Sequence, residues 1–199
     1  FEQATGVPTF KFDVGDFDAV QEGVASVAER LGPVEVLVNN AGITRDGTLH
    51  KMSFEQWDDV IRTNLTSCFN LCRAVIESMR EKQFGRIVNI GSVNGQAGQY
   101  GQVNYASAKS GIHGFTKALA QEGAKLGITV NAVAPGLIET AMLKQSEARD
   151  KIIDLAMAES VLKRVGQPED LAYVVAFLAS DKSRHITGEV IKVDGGQHI

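Results

Sequence analysis

The spacing of apolar residues changes several times along the chain, and each change marks an element. Thr9 to Phe12 reads as a short strand, with Asp13-Val14-Gly15-Asp16 as the turn that leaves it. Val20, Val24, Val27 and Leu31 then recur at helical spacing and predict an amphipathic helix. Val34 to Val38 is nearly continuous Val and Leu, as a parallel strand covered on both faces should be, and it runs into Asn39-Asn40-Ala41-Gly42. Ser53 followed by Gln56 is a capping-box signature. It opens a long helix to about Arg80, with Trp57, Val60, Ile61, Leu65, Phe69 and Cys72 on its apolar side. Arg86 to Ile90 predicts a strand, Tyr105 to about Leu126 a helix, and Ile128 to Val133 a strand stopped by Pro135-Gly136. The stretch that follows is polar and irregular. Pro168-Glu169-Asp170 reads as the first turn of a helix ending near Ser180, and Gly188 to Val193 as a last strand.

Strands alternating with helices through short connections predict a parallel sheet with helices on both faces. This is the doubly wound α/β (Rossmann-type) architecture, here one domain over residues 1–199, whose ligands bind at the carboxyl ends of the strands. A chain of 199 residues, 44% hydrophobic and 22% charged, can build such a core and is not intrinsically disordered. No apolar run approaches the roughly 20 residues of a membrane span, so no membrane partner is expected and a cytoplasmic location is the default. The formal net charge of -4, with no cluster of Lys and Arg, argues against nucleic acid. Cys68 and Cys72 lack a second Cys/His pair at ligand spacing. They read as small buried hydrophobes, and no metal is expected. His50, His113, His185 and His198 show no partner pattern and read as structural.

Chemistry gathers at the strand ends. Tyr105 and Lys109 stand one turn apart on one helix, where an ammonium near a phenol favours the phenolate and lowers the Tyr pKa toward neutrality. Taken alone, the pair is more readily an exposed packing contact. Ser92 follows the strand Arg86 to Ile90, and its hydroxyl can bond a substrate oxygen. Gly42 lets backbone approach a planar ring, Pro135-Gly136 closes the next strand, and Thr140 lies beyond it. Asn64 is a polar residue within an apolar helix, where a local kink or a satisfied core amide would explain it equally.

Asn39 to Gly42, Asn64, Ser92, Tyr105-Ala106-Ser107-Ala108-Lys109, Pro135-Gly136 and the closing Val193-Asp194-Gly195-Gly196 together resemble the short-chain dehydrogenase/reductase family over essentially the whole chain. The resemblance implies an NAD(P)-dependent oxidoreductase acting on a carbonyl or alcohol. Tyr105 would be the general acid/base, Lys109 would bind the nicotinamide ribose, Ser92 would polarise the carbonyl and Asn64 would hold a relay water. It further places Asp13 and Val14 at the adenine, and Asn40, Ala41, Gly42, Ile43, Pro135, Gly136, Ile138 and Thr140 along the cofactor. The family also has a Gly-rich loop after its first strand, which holds the pyrophosphate at a helix N-terminus. Against a full member, about 45 to 50 residues, the first two βα units, are expected to precede the segment at Thr9. In the family's strand order that segment would be an orphan, and the strand at Val34 an uncovered edge.

Ala41 to Asp46, Lys51-Met52 and the Gly/Gln-rich Val93 to Asn104 resemble the acetoacetyl-CoA reductases of polyhydroxybutyrate synthesis. By that resemblance Asp46, Gln99, Tyr100, Gln102 and Leu137 line an acyl thioester site, and the cofactor is NADPH. A homotetramer would form through the helices at Ser53 to Arg80 and Tyr105 to Leu126. Leu137 stands where those enzymes commonly carry Tyr, and Pro135 to Thr140 is more similar to the 3-oxoacyl-[acyl-carrier-protein] reductases. The carrier therefore stays open between CoA and acyl carrier protein. A third alternative is a non-catalytic scaffold.

Overall fold

In a computed structural model describing residues 2–144 and 149–199, the elements run α1 (Glu2–Thr5), α2 (Phe17–Leu31), β1 (Val36–Asn39), α3 (Phe54–Ile61), α4 (Ser67–Lys82), β2 (Gly85–Ile90) and α5 (Asn94–Ala97). After these come α6 (Val103–Gly123), β3 (Ile128–Pro135), α7 (Ala141–Lys144), α8 (Arg149–Glu159), α9 (Pro168–Ala179) and β4 (Val190–Val193). The four strands form one parallel sheet in the order β1-β2-β3-β4. β2 and β3 are buried almost throughout, and their β-branched residues are interrupted by the buried polar side chains of Arg86, Asn89, Thr129 and Asn131.

Two cores flank the sheet. Ile87, Ile128 and Val130 pack beneath Cys72, Val75 and Met79 of α4 and Ala120 of α6, with Val24 of α2 against them. Val88 and Val133 face the other way, onto Leu178, Leu171, Val174 and Val175 of α9. Helices thus cover both faces, as the alternation predicts. Among the described residues no helix is long and apolar enough to cross a membrane.

The N-terminal segment departs from expectation. Thr9 to Phe12 forms no strand, because a strand exists only through a ladder partner and none reaches it among the described residues. It lies instead along α2, with Phe12 filling the space beside Gly23 and the Arg30 guanidinium 5.8 Å from the Phe10 ring centroid. β1 is an edge of the sheet, leaving Val36 and Val38 about two-fifths exposed. The turn at Asp13 to Asp16 holds, with the Gly15 amide donating to Asp13 Oδ1 at 2.8 Å.

Both halves of the Ser53/Gln56 capping box form. The single helix expected after it is interrupted by a π-helical turn over Arg62–Thr66, within which Asn64 is fully buried. The polar stretch after Pro135 hides α8, whose only buried residue is Ala156 while Ile152 and Leu155 stand exposed. A helix without an apolar stripe leaves no periodic trace in the sequence.

Candidate active site

The parallel strands deliver their C-terminal ends to one edge, and backbone bonds carry the ladders past them. Gly91 N–H donates to Val133 O at 2.7 Å, Val93 N–H to Pro135 O at 3.1 Å and Gly136 N–H to Val193 O at 3.1 Å. Ser92 is thereby held beside the Pro135-Gly136 turn, with its Oγ accepting from Asn94 N–H at 3.1 Å.

Helix α6 packs on one face of the sheet and brings its first half to this edge. Its N-terminus is anchored by Asn104, which sequence reasoning missed. The Asn104 side-chain amide donates to Arg45 O at 3.0 Å and Gln56 O at 2.9 Å, and its Oδ1 accepts from Tyr105 N–H at 2.8 Å. A buried Asn directly before the Tyr was the available signal, since such a group must find partners. One turn on, Lys109 is buried and donates from Nζ to Ile90 O at 2.7 Å, with Nζ 5.6 Å from the Tyr105 ring centroid.

Asn64 closes the front of the site. Its Oδ1 accepts from Ile43 N–H at 2.8 Å and its Nδ2 donates to Ile43 O at 2.9 Å, so one side chain satisfies both backbone groups of the residue after Gly42. The side chain is thus a satisfied core amide, and the irregularity of its helix is a π-helical turn. A Cβ at Gly42 would lie 3.4 Å from Asn64 Oδ1 and 3.6 Å from Lys109 Nζ, so only glycine leaves the space before those groups open.

Burial dominates the electrostatics. It pulls Lys109 down from its ordinary 10.5 to about 8, partly opposed by Cys68. It also pushes the Tyr105 phenol up, against the lowering effect of its hydrogen bond with Ser92 and with Asp46 raising it further. The expected lowering of the Tyr105 pKa by Lys109 is not seen. The ammonium is turned to the Ile90 carbonyl, and desolvation penalises both charged forms.

Of the other residues singled out in the sequence, Asp46 and Gln102 are joined to Ser92 by a polar chain. Gln102 Nε2 donates to Asp46 Oδ2 at 2.9 Å, and Asn94 Nδ2 donates to Gln102 Oε1 at 2.9 Å. Gln99 and Tyr100 stand in solvent, Tyr100 at 88% exposure. Asn40 and Ala41 are exposed at the end of β1. Asp13 pairs with Arg62 at 2.8 Å, which lowers its pKa, and Val14 O accepts from Asn70 at 3.1 Å. Thr140 N–H donates to Ile138 O at 2.9 Å. Leu137 and Ile138 line a separate cavity of about 520 Å3 with Met157, Val161 and Leu162, and none of Asn64, Ser92, Tyr105 and Lys109 borders it. That cavity is therefore not the site of the hydroxyl chemistry.

A half-buried phenol whose acidity the nearby serine hydroxyl tunes, beside a buried lysine and an open glycine-walled space at the strand ends, is equipped to give or take a proton at an alcohol or carbonyl oxygen. The sequence comparisons agree. Residues 1–198 match the family described as enoyl-(acyl carrier protein) reductase, and the chain belongs to the short-chain dehydrogenase/reductase family of nicotinamide-dependent oxidoreductases. It is 52% identical over 200 residues to an acetoacetyl-CoA reductase of Rhizobium meliloti (strain 1021), covering all of this chain and 82% of the relative. It is 50% identical over 198 residues to an acetoacetyl-CoA reductase of Shinella zoogloeoides, covering 99% of this chain and 81% of that protein. Similarity extends to the 3-oxoacyl-[acyl-carrier-protein] reductase FabG of Vibrio cholerae, at 46% identity over 182 residues, covering 92% of this chain and 74% of the relative.

Proposed function

We propose that the protein reduces a 3-oxoacyl thioester with NADPH, converting acetoacetyl-CoA to (R)-3-hydroxybutyryl-CoA for polyhydroxybutyrate synthesis. The observation that carries this reading is buried Lys109, held by Ile90 O with its Nζ 5.6 Å from the Tyr105 ring centroid, at the strand end where Ser92 is buried. Both hydroxyls donate to the substrate carbonyl oxygen, whose negative charge grows only as the transition state is approached. Preorganised donors at that point stabilise the transition state more than the ground state. Tyr105 then transfers its phenolic proton to that oxygen and completes the 3-hydroxyl.

The residues present fit the nicotinamide half of the cofactor: Gly42 keeps a gap open before Lys109, and Lys109 has three N–H donors, of which one holds Ile90 O. The others would reach ribose hydroxyls. Asn40 to Ile43, Pro135, Gly136, Ile138 and Thr140 would border the ring, with Asp13 and Val14 at the adenine. When bound, the group supplies the hydride that adds to the carbonyl carbon. Asn64 fixes the wall at Ile43 and would hold the water through which Tyr105 is reprotonated. Asp46 and Gln102, linked to Ser92 through Asn94, would orient the thioester, with Gln99, Tyr100 and Leu137 further out.

Residues 1–199 would act as one NAD(P)-binding domain in a homotetramer. A shallow groove of about 240 Å3 between α4 and α6, bordered by Phe69, Ile76, Phe115 and Leu119, supports pairing of these helices with a second copy. The free buried thiols Cys68 and Cys72 fit a reducing cytoplasm. Similarity to the Vibrio cholerae reductase supports a second reading, reduction of the same 3-oxoacyl group on acyl carrier protein.

The test is NADPH oxidation with acetoacetyl-CoA against acetoacetyl-acyl carrier protein, repeated with NADH. Faster turnover of the CoA ester supports the first reading, and the reverse supports the second. No turnover of either leaves a scaffold. Tyr105→Phe should lower kcat by about 100-fold or more while the thioester KM changes little, because the lost proton transfer belongs to the transition state.

A further inference from the structure

His113 carries no sequence pattern and no assigned role, yet it lies one turn beyond Lys109 and two beyond Tyr105 on the same stripe of α6. Its side chain is buried at 8% exposure, and its Nε2 has no hydrogen-bond partner. The ring sits against both ends of the turn that carries Ser92. A Cβ at Gly91 would lie 2.6 Å from His113 Nε2 and 3.1 Å from Cδ2, and a Cβ at Gly95 would lie 3.0 Å from His113 Cε1. The 2.6 Å contact is closer than real side chains make, so residue 91 is glycine in order to admit the imidazole, whereas residue 95 is glycine first of all for the backbone of α6. Between them stand Ser92 and Asn94, the head of the polar chain that runs through Gln102 to Asp46.

A buried nitrogen without a partner contributes no directional bond. What the ring contributes here is shape, and it does so uncharged, since burial and the ammonium groups of Lys117 and Lys109 lower its pKa. We propose that His113 is a positioning residue: its imidazole wedges beneath the Gly91–Gly95 turn and sets the height of Ser92 relative to Tyr105. The inference rests on the reductase reading for its kinetic consequence and on geometry alone for the wedge.

The wedge predicts a non-additive cycle. His113→Ala should lower kcat about 10-fold with the thioester KM changed less than about 3-fold, because Ser92 is displaced from a contact made in the transition state. Gly91→Ala should be worse, since its methyl group meets the imidazole. The double variant should recover to at least the level of His113→Ala, the clash having gone. Gly95→Ala is the control. Its Cβ would lie 2.7 Å from Lys109 C and 2.8 Å from Ser110 N, both backbone, so His113→Ala should not rescue it.

Thermal unfolding read on the same variants follows the wedge independently of turnover. Absence of turnover in the unmodified protein would sink the reductase reading, while the same rescue pattern in melting temperature would still support the wedge. If Gly91→Ala does not fold, recovery of a folded double variant is the same rescue. Wild-type kcat in His113→Ala, a double variant no better than Gly91→Ala, or a double variant that fails to fold overturns the proposal.

Discussion

Asn64→Ala separates a packing role from the anchoring role that the geometry gives this residue. Asn64 is fully buried and holds both the N–H and the C=O of Ile43, at 2.8 and 2.9 Å. Truncation strands both backbone groups of Ile43, a half-buried residue. Each unsatisfied group costs about 1 to 3 kcal/mol, so the expected loss is about 2 to 6 kcal/mol, before any cavity is counted. For a domain of this size each kcal/mol moves Tm by about 2 to 4 °C, which places the drop between about 4 and 24 °C. Thermal unfolding without ligand measures it directly. Asn64→Leu should lose about as much, because a branched apolar side chain fills the volume but bonds nothing. A drop under about 2 °C in both variants, or full recovery in Asn64→Leu, would refute the anchoring argument.

The remaining predictions concern burial. Lys109, held at about 8 against an ordinary 10.5, binds no proton in the folded chain over a window in which the unfolded chain still does. Stability from this group therefore rises with pH between those two values, by about 3 kcal/mol in all, and is flat below them. The urea midpoint of the unmodified protein should show this rise relative to Lys109→Met, and a difference that does not vary with pH would exclude it. Burial pushes the Cys72 thiol up to about 12 and also raises Cys68. Iodoacetamide near pH 8 should label neither while the protein is folded, and mass spectrometry showing alkylation faster than unfolding would contradict the placement.

Where an element is defined by its own side chains, the sequence was enough. The buried β2 and β3, the α2 stripe and the Ser53/Gln56 cap are legible because burial on two faces, a 3.6-residue period and a reciprocal cap each leave a local pattern. Thr9 to Phe12 was not, because strand formation depends on a neighbour and its own residues carry no record of one. The π-helical turn at Arg62–Thr66 was also hidden, although Asn64 in an apolar helix hinted at something irregular there. In the site, Tyr105, Lys109 and Ser92 were findable from spacing and strand ends. Asn104 and His113 were not, since their meaning lies in contacts to residues 45, 56, 91 and 95 that only the folded chain brings near.

Asn64, Ser92 and Lys109 are held by backbone drawn from separate parts of the chain. Asn64 is tied to Ile43, Ser92 to Asn94 N–H and Lys109 to Ile90 O, while Tyr105 is set by a helix whose first turn Asn104 fastens to Arg45 and Gln56. The ordering entropy of these groups is therefore spent during folding, and little is left to spend when substrate arrives. Burial gives the same arrangement a second property. With the Tyr105 phenol kept protonated, the site buries one charged group, the Lys109 ammonium, instead of two, so it is spared the desolvation penalty that a phenolate would add. Any shift of Tyr105 toward the phenolate must then come from groups that arrive with the ligands. The pH profile of turnover and the pH profile of the free protein's tyrosine absorbance should accordingly disagree, with the titration in turnover lying lower.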